Sequence, residues 1–433
     1  MKSLQEAREI LAALSPLTPV HQPVGQAVSA VLAEPVHARI PLPHVHTSAM
    51  DGWALSAQVH NTDEAGSQWQ VRRQGAEHPG VELSALQPGE AVGVVTGSPV
   101  PEGTVCVLRS EHSRLEWGML SPRSGTPDLE SGRNIRAPGI EAARGDQLLD
   151  AGDRLTPVRA AMAAVAGYDT LSVHPVPRAE IITTGTEIIT AGLPAPGQVR
   201  DTFTMSLPPM VTALGAQVCG VSRLDDDVAA LVRRFESSSA DLIITTGGTA
   251  HSRADTLRPA LGESQAEILL DSVNMRPGHP VLSARLPSGA LVLGLPGNPL
   301  AGFAALTLLG RPLLGALRGD PDALTTQVFT AEAGEDLPGA RRGHRLLPVL
   351  RKETLLYPAG FSRPHMMRGL AHAEAFAVVP PEGAEAATTV ECHPVPGQQA
   401  VGQAQPLAIP AALETGETDQ ADQSRQRRHD WDD

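Results

Sequence analysis

DLIITTGGTAHSRADT, residues 241–256, runs from a short apolar and β-branched stretch into two glycines and then an acid that precedes a helical pattern. A buried strand feeding a glycine loop and a helix predicts one βα unit of a parallel sheet. The missing Cβ at Gly247 and Gly248 lets backbone N–H groups, with Thr249 beside them, approach an anion closely. RAEIITTGTEI at 178–188 and LVLGLPGNP at 291–299 repeat the strand-to-glycine pattern on either side, and DDDVAALVRRFESS at 225–238 supplies an amphipathic helix between them. This alternation over 178 to about 318 predicts a doubly wound α/β core, mainly parallel, with helices on both faces and functional loops at the carboxyl ends of its strands.

Working outward, Leu4, Ala7, Leu11 and Leu14 recur at helical spacing until Pro16 and Pro19 end the helix. From Pro41 to about Arg136 short β-like runs such as AVGVVTG and TVCVLRS alternate with Gly and Pro clusters, which predicts an inserted small β subdomain. Thr156 as a cap, Pro157 at the first helical position and Gly167 as a stop then bound an Ala-rich helix. The expected division is an N-terminal α+β domain made of 1–42 and 137–177, a β subdomain at 43–136, the α/β domain at 178–325, a C-terminal β domain at 326–409 and a polar, disordered tail at 410–433. Pro208 and Pro209 are expected to interrupt the helix that follows Asp201.

A length of 433 residues exceeds one compact core, and with 41% hydrophobic but only 3% aromatic residues the cores must be aliphatic. Lys plus Arg total 34 against 48 Asp plus Glu, a net charge of -14, which disfavours a nucleic-acid partner. Cys106, Cys219 and Cys392 have neither zinc nor disulfide spacing, and the start reads as an amphipathic helix rather than a signal peptide, so a cytoplasmic location fits. No apolar run is read as reaching the roughly 18 residues that would span a membrane.

Several loop residues admit two roles on sequence grounds. Asp255 either caps a helix or holds a divalent cation against a phosphate. Asn298 in GLPGNP can cap the following helix while the glycines, Gly297 beside Pro296 among them, expose N–H groups to a ligand. Asp225, opening the acidic triple with Asp226 and Asp227, reads first as a helix N-terminus. Carboxylates gathered around one anionic ligand repel each other, and a shared Mg²⁺ is the simplest relief.

Two further segments, SAMDGWAL at 48–55 and VVTGSPVPEG at 94–103, precede the three strand-loop segments in a fixed order. The whole series resembles the molybdopterin molybdenumtransferases, the bacterial MoeA proteins and the E domain of gephyrin, from about residue 3 to about residue 405. The resemblance implies an elongated N-terminal domain, a C-terminal β-barrel-like domain, and a homodimer with its site shared between subunits. It also implies contact with other proteins of molybdenum cofactor biosynthesis. The implied reaction inserts molybdate into adenylylated molybdopterin and releases AMP, with Mg²⁺. Carried over residue by residue, Asp51, Asp255 and Glu187 become the catalytic set. Asp51, Glu141 and Asp255 become metal ligands, and Thr96, Asp201 and Asp225 join the glycine loops around the pterin. The oxyanion side departs from the family. Arg276-Pro277-Gly278-His279-Pro280 stands where relatives carry two lysines, Ala301 and Pro364 replace serines, and Glu141 replaces an Asp. Arg276, His279, Arg341 and Arg363 are the oxyanion-binding candidates that remain, with Arg368 nearby.

Overall fold

Consecutive side chains along Arg178–Thr184 enter different cores, and that alternation organises the centre of the protein. The computed structural model describes residues 1–58, 66–72, 84–249, 255–325 and 327–398. The expectation of a disordered tail from 410, and of where the C-terminal domain ends, lies outside the described residues. The helices are α1 (Leu4–Ala12), α2 (Pro157–Val165), α3 (Phe203–Ala213), α4 (Val228–Ser237), α5 (Leu257–Glu263), α6 (Pro299–Ala305) and α7 (Arg311–Leu317).

The central sheet runs, in spatial order, Gln217–Leu224, Arg178–Thr184, Leu242–Thr246, Leu291–Leu295, Leu282–Arg285 and Glu267–Asp271. Its first four strands are parallel and the pairings of the last two are antiparallel. Ile181, Ile244 and Leu293 stand side by side and point towards α3, α6 and α7, with Leu207, Val211 and Leu300. Ile182, Ile243 and Val292 point the other way, towards Leu231 and Phe235 of α4 and Leu257 and Leu261 of α5. Alternation with period two is the ordinary consequence of the pleat, and burial of both faces follows from helices on both sides.

Two expectations are corrected here. Helix α3 passes through Pro208 and Pro209 without a break. Both prolines lie inside a short helix whose Leu207 and Val211 are fully buried and whose Phe203 ring meets Phe303 at 5.2 Å, so packing offsets the lost backbone bonds. The segment Pro299–Leu317 is long and apolar enough to cross a bilayer, but all of it is buried inside the protein. Its hydrogen-bond ladder widens over Leu306–Gly310 just before Pro312, the residue that cannot donate to a regular turn.

A three-stranded sheet joins Val20–Pro23 and Val31–Leu32 to Thr170–His174, so segments on both sides of the β insertion share one core with α2. The insertion is a six-stranded sheet in which Gly52–Ser56 lies between Glu90–Val94 and Thr104–Arg109. Near the chain's C-terminal end His344–Lys352, Leu355–Pro358, Phe329–Ala333, Thr389–Pro394 and Ala375–Val379 pair in turn, and the last strand pairs back with the first. This closure makes a five-stranded barrel, which leaves no edge within the ring.

The β insertion carries a buried acid. Asp128 is 0% exposed and accepts hydrogen bonds from the Arg109 backbone N–H at 3.2 Å and Nε at 3.0 Å, with His112 Nδ1 at 2.8 Å. Burial alone would raise its pKa, but the Arg109 hydrogen bonds outweigh it and hold the carboxyl at about 2. A folded pKa below the unfolded one adds stability that is complete above the unfolded value near 3.8 and is lost as pH falls towards 2. The gap corresponds to roughly 2 kcal/mol. Asp128→Asn is expected to lower the urea midpoint at pH 7, and the difference from the parent protein should shrink between pH 4 and pH 2. A constant difference across that range would remove Asp128 from the pH response.

Candidate functional site

The parallel strands end level with one another, and their loops open into a cleft of about 590 Å³. That size suits a cofactor-sized ligand. Thr184, Glu187, Ile188 and Asp201 line one side, Thr246 to Thr249 the floor, and Pro296 to Pro299 the other side. His365 and Met367 reach in from a loop of the C-terminal barrel.

Local chemistry explains why these loops sit so close together. Gly247 donates its N–H to Leu295 O at 3.0 Å, and Gly247 and Gly248 have φ of +84° and +60°, where a side chain is strained. A Cβ on Gly294 would stand 2.3 Å from Leu257 Cδ2 and 3.1 Å from Thr249 Cγ2, so a side chain there would displace the tip of Leu257 at the start of α5. Thr184 Oγ1 donates to Thr246 O at 2.8 Å and ties two of the loops together.

Two polar atoms on the cleft wall are buried and have no partner among the described residues: Asp201 Oδ2 and Thr246 Oγ1. Asp201 uses its other oxygen, Oδ1, to accept from the N–H groups of Phe203 at 2.9 Å and Thr204 at 3.0 Å, capping α3. One oxygen thus fixes the helix and the second is left to meet a ligand donor. Such an atom is costly to bury unless something pairs with it.

The structure distributes the sequence candidates unevenly. Glu187, Asp201, Gly247, Gly248, Thr249, Pro296, Gly297 and Asn298 all line the cleft. Asn298 does not cap α6 through its side chain, contrary to expectation. Asp225 lies outside the cleft lining. Its neighbour Asp227 caps α4 by accepting from Ala229 N at 2.9 Å, and Asp226 accepts from Thr186 N at 3.3 Å. Of the two roles that the sequence allowed Asp255, the structure shows the cap, with the side chain only 6% exposed. It accepts from Arg258 N at 3.3 Å, capping α5, and pairs with Arg258 Nε at 3.2 Å.

Asp51 and Thr96 meet each other away from the cleft lining. Thr96 donates its N–H at 2.6 Å and its hydroxyl at 2.8 Å to Asp51 Oδ1, the backbone bond first among the causes that lower the Asp51 pKa. Arg276, His279, Arg341 and Arg363 are also outside the lining, although Pro280 is part of it. His279 Nδ1 is held by Val273 O at 3.2 Å. Asp51, Glu141 and Asp255 do not gather, and among the described residues no group of three or more His, Cys, Asp or Glu could hold a metal. The described donors of a single chain therefore do not form a Mg²⁺ site by themselves. Sequence reading missed His365, Met367, Phe203 and Ile188. His365 lies in the GFSRPHMMRG loop, where charge drew the reading to the arginines.

Geometry separates the two acids proposed for catalysis. Asp255→Ala should lower the stability by about 1 kcal/mol, because it removes the cap of α5, while the Arg258 guanidinium keeps its pair with Asp271 at 2.7 Å. Asp51→Ala should leave the midpoint close to that of the parent. Equal midpoints for the two variants would show that the Asp255 cap carries little.

A family model of the MoeA N-terminal region, domains I and II, matches residues 2–167, and a model of a probable molybdopterin-binding domain matches residues 180–316. The chain is 30% identical over 404 residues to molybdopterin molybdenumtransferase 2 of Mycobacterium tuberculosis, covering 89% of this chain and 97% of that protein. It is 29% identical over 372 residues to the molybdopterin molybdenumtransferase of Bacillus subtilis, covering 83% and 86%. The fold matches the crystal structure of a molybdopterin biosynthesis MoeA protein from Pyrococcus horikoshii with a TM-score of 0.71 at 22% identity, over 92% of this chain and 99% of that one. With its module order, closed C-terminal barrel and strand-end cleft, this chain belongs to the molybdopterin molybdenumtransferase family.

Proposed function

We propose that this protein acts in molybdenum cofactor biosynthesis, inserting molybdate into adenylylated molybdopterin and releasing AMP. The observation that carries the reading is the cleft itself. Its glycine loops offer close backbone approach to phosphate, while Asp201 Oδ2 and Thr246 Oγ1 await partners. Two bond changes make up the reaction. Water adds as the phosphate link to adenylate breaks and AMP leaves, and one oxygen ligand of molybdate leaves as water with the protons of the two dithiolene thiols as two Mo–S bonds form.

In this reading the N–H groups of the 247–249 and 296–298 loops hold the phosphates, and the apolar Ile188, Phe203 and Met367 exclude water from the rest of the ligand. Glu187, exposed on the lip, is the acid placed to move a proton at the phosphate link. Asp51, held by Thr96, enters from a second copy of the chain, so the working unit is a homodimer. Mg²⁺, when bound, would supply Lewis acidity to the pyrophosphate, and its ligands would come from carboxylates of both copies, Asp51 and Glu141 among them. Handover of the product to other proteins of cofactor biosynthesis completes the proposal.

A second reading rests on the oxyanion candidates. Arg276, Arg341 and Arg363 stand outside the cleft lining and His279 is tied to Val273, an arrangement that also suits a protein that carries the pterin without loading it. Purified protein with adenylylated molybdopterin, Mg²⁺ and molybdate decides between them. Molybdate-stimulated AMP release with molybdenum in the product is expected, and Glu187→Gln should slow it by about 100-fold or more. Tight binding with no AMP release would establish the carrier instead.

A further inference from the structure

Arg258, in the first turn of α5, has separate tasks for its backbone and its side chain. The backbone N–H donates to Asp255 Oδ1 at 3.3 Å and completes the cap of the helix. The side chain reaches further. Nη1 pairs with Asp271 Oδ1 at 2.7 Å, Nη2 donates to Thr249 O at 3.4 Å, and Nε lies 3.2 Å from Asp255 Oδ2 as an ion pair without hydrogen-bond alignment. One guanidinium thus touches the glycine loop that follows Leu242–Thr246, the segment that enters α5, and the edge strand Glu267–Asp271. Only 19% of the side chain is exposed.

A seven-residue helix needs its cap and its apolar face, here Leu257, Ala260 and Leu261, and neither uses the guanidinium. What the guanidinium reaches is the floor of the cleft. Thr249 lines the cleft, is 3% exposed, and packs its Cγ2 towards Gly294, where a Cβ would stand 3.1 Å away. Gly248 rests on the start of α5: a Cβ there would come within 3.0 Å of Thr256 Oγ1 and 3.3 Å of Thr256 N. The loop is therefore seated on α5, and a shift of α5 is a shift of the floor. A planar fork holds several acceptors at set angles, which a flexible ammonium does not.

We propose that Arg258 is a positioning residue for the phosphate end of the ligand: by tying Thr249 and α5 to Asp271 it fixes where the Gly248 and Thr249 N–H groups stand. The proposal rests on the reading of the cleft floor as a phosphate cradle. Arg258 is absent from the cleft lining, so it acts through the loop and not on the ligand. Asp271 extends the tie, because Val273–Arg276 begins just beyond it and pairs with His344–Lys352 of the barrel. The floor is thereby anchored to the segment that carries the chain out of the α/β region. Donors that meet the phosphates in the ground state and the transition state alike act on KM and leave kcat nearly unchanged.

Calorimetric titration of the full chain with inorganic pyrophosphate, the AMP-release assay and thermal scanning test the proposal together. Arg258→Lys keeps the charge without the fork, and Asp271→Asn changes a half-exposed side chain. Each should weaken pyrophosphate binding and raise the KM for adenylylated molybdopterin by about tenfold, with kcat within about twofold of the parent. Arg258→Met should go further in the same direction. A residue that serves stability alone would lower the melting temperature of these variants and leave pyrophosphate affinity and KM at parental values, and that outcome overturns the proposal. Should Arg258→Met fail to fold, Asp271→Asn decides. A parent that binds pyrophosphate without releasing AMP sinks the proposed reaction and leaves the positioning role standing. AMP release with no saturable pyrophosphate binding overturns the role and upholds the reaction.

Discussion

The register of the parallel strands is the constraint on which the rest of the molecule depends. Ile181, Ile244 and Leu293 lie in one row and Thr246 lies opposite Leu295 in the next strand, so the strands end together and hand their loops to one cleft. The same register decides which side chains enter which core. A slip of one residue would exchange the two rows and move the buried Ile181 and Ile182 to the wrong faces. Each such side chain contributes on the order of 1.5–3 kcal/mol by its burial, so a misregistered sheet loses its two cores and its cleft at once. Site geometry here is a by-product of core packing. The Gly247 N–H to Leu295 O bond is the point at which sheet and loop meet.

The acids around the cleft show how a negatively charged protein, at -14, prepares to hold an anion. Asp201, Asp227 and Asp255 each accept backbone N–H groups at the start of a helix. Their charge is turned towards helix N-termini, where the macrodipole favours it, instead of into the cleft. The floor and one wall are left largely to glycine and proline, which bring no charge, and the glycines supply N–H groups. Asp201 is the exception, with Oδ2 on the cleft wall and unpaired. A ligand that brings a donor there, as a pterin ring does, relieves an existing cost of burial.

What the sequence revealed follows from how local its signals are. Alternation of apolar strands with amphipathic helices between 178 and 318 placed the doubly wound core, because period and burial are set by neighbouring residues. The glycine loops were legible for the same reason. Asp255 was not: an acid before a helix reads alike as a cap and as a ligand, and only the position of Arg258 and its own burial separate the two. Pro208 and Pro209 misled because a propensity rule knows nothing of the Phe203 and Leu207 contacts that hold α3 together. His365 was beyond reach of any local pattern. It arrives at the cleft through a barrel whose closure depends on pairing His344–Lys352 with Ala375–Val379, strands more than 20 residues apart.

That barrel also connects two departures from the family pattern. Val273–Arg276 leaves the α/β region and pairs with the first residues of His344–Lys352, and Arg345 then donates through Nη2 to Ser362 Oγ at 3.0 Å. The loop is thereby set against the start of α6, where Ala301 N donates to Pro364 O at 3.4 Å. Ala301 and Pro364, the two positions that the resemblance reads as replacing serines, are therefore neighbours. The first turn of any helix has N–H groups without internal acceptors. Here the Pro364 carbonyl takes one of them, which is consistent with the Asn298 side chain making no capping bond and standing on the cleft wall instead. The Asn298 amide is thereby available to a ligand. Reverting either residue alone would place a serine hydroxyl against a backbone already paired, so the two positions are expected to behave non-additively in any exchange with relatives.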